Sequence, residues 1–70
     1  MQSYCERVLE VLYESGFSFN YGKLNPTDVI FTEVETGHSA SYNIKHCIEN
    51  SIDPYQLAME IINEFDLPYV

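Results

Sequence analysis

The 70-residue sequence predicts an α+β fold: a three-stranded antiparallel sheet with helices packed on one face. Three observations carry this. Apolar residues recur at helical spacing between positions 4 and 15. They then alternate with a period of two over 17–21 and 38–44, on either side of a β-branched run at 28–35. From position 53 an Asp-Pro-Tyr-Gln opening begins a second long helical pattern. The expected order is α-β-β-β-(α)-α in a single domain over residues 1–70, because each amphipathic element must bury its apolar side against another.

In the first helix Cys5, Val8, Leu9 and Leu12 fall at i, i+3, i+4 and i+7. Tyr4, Val11 and Tyr13 widen that side, while Glu6, Arg7, Glu10 and Glu14 occupy the other. Ser3 with Glu6 has the spacing of a capping box, and Gly16 stands at the C′ position. Phe17, Phe19 and Tyr21 share one face of a short strand. Gly22 to Pro26 reads as a loop, since Asn25 precedes a proline. The strongest strand signal runs from Asp28 to Glu35, and Thr36-Gly37 makes the following hairpin turn. In the third strand Ala40, Tyr42 and Ile44 face inward, and Ser39, Ser41 and Asn43 face water. A helix of one or two turns is expected within 45–51. The last helix has Asp53 as N-cap, Pro54 at N1 and Gln56 at N3. Its inward residues are Tyr55, Leu57, Ala58, Ile61, Ile62 and Phe65, and Leu67-Pro68 ends it.

Composition bounds the function. Hydrophobic residues make up 46% of the chain and are spread through it, which suits a packed core. None of their runs approaches the ~20 residues of a membrane span. The N-terminal residues lack the basic and apolar regions of an export signal, so a cytoplasmic location is expected. Eleven acids against three bases give a formal net charge of −8. Such a field repels nucleic acid and anionic lipid and attracts basic surfaces. Direct nucleic-acid or membrane binding is therefore not expected.

Catalytic parts are scarce. His38 and His46 are the two histidines, and neither comes with a partner that would make it a base. Cys5, Cys47 and His46 lack the spacing of a zinc site, so the cysteines are expected to fill core space together. Three isolated glycines cannot build a phosphate loop. No enzyme activity, metal or cofactor is expected. Of the six tyrosines, Tyr21, Tyr42 and Tyr55 fall on inner faces, while Tyr4, Tyr13 and Tyr69 lie at helix edges or the terminus.

The acids form stripes. Glu6, Glu10 and Glu14 step by four along the first helix, Glu60 and Glu64 repeat the step on the last, and Glu33 and Glu35 are expected to share a strand face. Like charges at i, i+4 cost a few tenths of a kcal/mol per pair. Solubility is one explanation; the other is docking of these seven residues on a basic groove of a partner protein. Four helical residues span about 6 Å, sparser than one phosphate per ~3.4 Å of a DNA strand, so a single stripe copies a nucleic-acid backbone poorly. In size and charge alone the chain resembles phage-encoded inhibitors of host nucleases, restriction systems or CRISPR complexes. That resemblance implies an inhibitor or regulator acting on a nucleic-acid-handling complex. The alternative is a structural or assembly role through homodimerisation or incorporation into a larger complex.

Overall fold

The computed structural model describes residues 2–65, and its elements follow the predicted order: α1 Gln2–Glu14, β1 Phe19–Lys23, β2 Asp28–Glu33, β3 Ser39–Asn43, α2 Ile44–Glu49 and α3 Pro54–Glu64. The expected stop at Leu67-Pro68 and Tyr69 lie outside the described residues; α3 closes at Glu64 with Phe65 as its cap.

The helix ends explain where the chain turns. α1 starts ahead of Ser3, so the expected capping box does not form, and Glu6 accepts instead from Gln2 Nε2 at 3.1 Å. At its other end Gly16 adopts φ 96°, letting the Gly16 and Phe17 N–H groups reach the Tyr13 and Leu12 carbonyls at 2.9 Å each. α2 is capped by Asn43, whose side chain accepts from the His46 N–H at 2.9 Å. It ends with the same pattern of bonds, Ser51 N–H to Ile48 O and Ile52 N–H to Cys47 O, but through a serine at φ 54°. A side chain in that left-handed conformation costs ~1 kcal/mol. α3 has the full capping box, with Asp53 and Gln56 each accepting from the other end of the first turn.

The sheet is a meander of order β1-β2-β3, both pairs antiparallel, with Tyr21 opposite Phe31 and Phe31 opposite Ala40. β1 runs through Gly22 and Lys23, two residues expected in the loop, because Ile30 and Val29 lie opposite them and extend the ladder. β2 is shorter than expected, since the turn begins at Val34.

Phe31 is fully buried at the sheet centre, its ring 6.3 Å from Tyr21 and 6.0 Å from Tyr42. α1 and α3 pack on one another, α1 lies against β1, and Val8, Leu12, Ile44, Leu57 and Ile61 complete the core. Each such buried side chain contributes roughly 1.5–3 kcal/mol of hydrophobic stabilisation. Tyr55 departs from expectation at 57% exposed. The buried arc of α3 centres on Leu57, Ala58, Ile61 and Ile62, which leaves Tyr55 roughly a quarter-turn away. Among the described residues no helix is long and apolar enough to cross a membrane.

Candidate docking surface

The structure divides the expected acidic set. Glu33 is not at the surface: it is 6% exposed, in phase with Val29 and Phe31 on the inner face of β2, and its Oε1 accepts from Thr36 Oγ1 at 2.7 Å. Its carboxylate thus helps hold the β2–β3 turn. Glu35 lies in that turn, exposed, and shares no strand face with Glu33. Glu6, Glu10, Glu14, Glu60 and Glu64 are all exposed, as expected.

These five helical acids sit on two flanks rather than one. The Glu6 carboxylate lies close enough to Tyr21 on β1 to raise that hydroxyl's pKa, second to burial. Burial first, then Glu64 and Glu60, push the Tyr42 hydroxyl on β3 up to about 12. β1 and β3 are the two edges of the sheet, so Glu6 and Glu10 lie by the first edge and Glu64 by the other, although the Phe65 ring at the end of α3 still reaches the Phe19 ring on β1 at 5.4 Å. Arg7 pairs with Glu10 along α1, so the α1 stripe is partly neutralised.

The α1–β1 flank carries more than charge. Leu9, Tyr13, Phe19 and Val34 floor a shallow groove of about 370 Å³, with Glu6 and Glu10 on its rim. Tyr13 is 73% exposed and Val34 55% exposed; Leu24, Ile48 and Tyr55 also stand in water, but Tyr13 and Val34 are the pair that share this groove. α1 places Leu9 and Tyr13 one turn apart on the same side. The turn after β2 brings Val34 beside them, tied back by its N–H to the Ser18 carbonyl at 3.0 Å. Farther along β1, Gln2, Cys5, Tyr21, Lys23 and Val29 line a second hollow of about 320 Å³.

The thiols are set up for packing rather than attack. Burial raises the pKa of both Cys5 and Cys47, which keeps them protonated at neutral pH and poorly nucleophilic. Tyr4, itself raised first by burial and then by Cys47, donates its hydroxyl to the Ile52 carbonyl at 2.7 Å and so pins α1 to the start of α3. His38 and His46 are both exposed, and the His46 ring lies 3.1 Å from the Asn50 side-chain nitrogen. Among the described residues no three His, Cys, Asp or Glu side chains converge as a metal ion would require.

Two features of this flank escaped the sequence. Val34 belonged to a strong strand signal, and nothing local marks it as a turn residue left in water. Tyr13 was expected at a helix edge, but only the position of β1 decides that its ring overhangs a groove. No protein-family model, curated protein or solved structure matches the chain.

Proposed function

We propose that this protein is a non-enzymatic binding module that docks its α1–β1 flank on a basic surface of a partner protein. One observation carries the reading: Tyr13 and Val34, both more than half exposed, stand in the same groove as Glu6 and Glu10. Aromatic anchors in a groove supply affinity, while rim carboxylates steer a cationic partner and set its orientation. The split of the stripes over two flanks favours this mode over imitation of a phosphate row. Proteins that handle nucleic acids carry the basic grooves this flank suits, and occupying one excludes its substrate. The module then acts as an inhibitor or regulator of a nuclease, restriction or CRISPR complex.

The test is capture of partners from the protein's source at low and moderate salt, with three variants. Glu6→Lys combined with Glu10→Lys, and separately Tyr13→Ala, are expected to lower retention of one shared partner about tenfold, and salt is expected to weaken the wild-type complex. Glu60→Lys with Glu64→Lys is expected to retain it. Equal retention by all three rules out the α1–β1 flank as the docking surface.

A further inference from the structure

Among the described residues the hydrogen bonds of the sheet leave one edge of β1 unpaired. Leu24 N–H donates to the Asp28 carbonyl and Val34 N–H to the Ser18 carbonyl, both at 3.0 Å, and these pairs bracket the β1–β2 register. Bonded and non-bonded pairs alternate along an antiparallel ladder. Asn20 and Gly22 therefore turn their main-chain groups toward β2, and Phe19, Tyr21 and Lys23 turn theirs away from it. Among the described residues no strand lies on that side, because β1 is the first strand of the order β1-β2-β3. An unpaired row of N–H and C=O groups is a template for another strand.

Both hollows described above lie beside this edge, one near Phe19 and one near Tyr21 and Lys23. Their chemistry differs. The first has Glu6 and Glu10 over an apolar floor. The second is lined by Cys5, Val29 and the Tyr21 ring, with Lys23 at its side to repel a second cation. Phe19 and Tyr21 are two positions apart on one strand face, about 7 Å, which is also the distance between alternate side chains of any strand laid alongside.

We propose that β1 accepts a fourth strand: an extended segment of the partner with a Lys or Arg and an aliphatic residue two positions apart. Its main chain pairs with Phe19, Tyr21 and Lys23. Its basic side chain lies over Leu9 and Tyr13 with its charge at Glu6 and Glu10, and its aliphatic side chain enters the hollow above Cys5 and Val29. Main-chain bonds supply affinity and the two hollows supply selectivity. The proposal rests on the basic-partner reading above and adds to it the mode of recognition.

The probe is a synthetic peptide, acetyl-Val-Thr-Lys-Thr-Val-amide, whose symmetric pattern meets both hollows in a parallel or an antiparallel alignment. Titrated into isotopically labelled protein, it is expected to shift the Phe19, Tyr21 and Lys23 amide signals saturably and to slow their exchange. Two controls follow, the same peptide N-methylated at alternate residues in either phase, and one with Glu in place of Lys. Loss of main-chain bonds in one phase, or of the cation, is expected to weaken binding about tenfold. Lys23→Pro removes one outward N–H at a site an edge strand tolerates, and is expected to weaken binding where Lys23→Ala does not. Circular dichroism establishes that both variants are folded, and the N-methylated peptides make the same test on unaltered protein. Equal binding of all N-methylated forms overturns strand addition and leaves acidic docking standing. Shifts centred on Ser39 to Asn43 overturn the choice of edge. Shifts at β1 that grow with protein concentration alone overturn the occupant, because β1 then pairs with a second copy of the chain.

Discussion

The two edges of the sheet are built alike and differ in what surrounds them. Each has a tyrosine packed on Phe31, Tyr21 at β1 and Tyr42 at β3, and each tyrosine has helical glutamates close by. At β1 the chain leaves Tyr13 and Val34 in water beside Glu6 and Glu10. At β3 the Tyr42 hydroxyl is buried, with no hydrogen-bond partner among the described residues, and the exposed strand positions are Ser39, Ser41 and Asn43. Carboxylates alone therefore do not distinguish a docking surface from a solvated one; the apolar area beneath them does.

The largest effect is expected where both flanks hang on one side chain. Phe31→Ala removes the ring that touches Tyr21 and Tyr42, and a buried phenylalanine truncated to alanine costs ~3–5 kcal/mol. Urea denaturation is expected to show one cooperative transition at a lower midpoint. Separate transitions for the two flanks would break the comparison, since they would no longer share a core.

A smaller effect separates the two helices. Asp53→Ala removes the α3 cap and is expected to cost about 1 kcal/mol. Ser3→Ala is expected to stay within about 0.5 kcal/mol, because Ser3 lies inside α1, past the N-cap position. Equal losses in chemical denaturation would mean that α1 starts at Ser3 after all.

The smallest effect sharpens the contrast between the tyrosines. Tyr42→Phe deletes a buried hydroxyl that has no partner among the described residues and is expected to leave stability unchanged or raise it by up to ~1 kcal/mol. The pH dependence has a definite sign. An unfolded tyrosine ionises near its ordinary 10.0, whereas folded Tyr42 holds its proton to about 12. Its contribution is therefore complete below pH 10.0 and is lost as pH rises through about 12. The variant is expected to lose less stability over that window, measured by denaturation at stepped alkaline pH. An unchanged alkaline profile would show that Tyr42 ionises alike in both states.

Much of the fold was legible because it depends on local chemistry. The Asp53-Pro54-Gln56 opening, the Gly16 terminator and the alternation of Ala40 and Tyr42 with serines each carry their own backbone preference. The α1 start misled because Ser3 with Glu6 is a frequent spacing that forms a box only if the helix begins there. Glu33 misled for a related reason: charge argues for water, but strand phase is set by Val29 and Phe31, and Glu33 must follow them inward.

By itself the sequence determined the element order, the inward faces of α1 and α3, and the strong negative charge, since periodicity, capping and composition act over a few residues at a time. The tertiary structure alone decided that Glu6 and Glu10 lie by one sheet edge and Glu64 by the other, that Glu33 is buried, and that Tyr13, Leu9 and Val34 meet beside the edge strand β1. Those facts depend on which helix lies over which strand, a choice made by packing distant segments together and carried by no one of them.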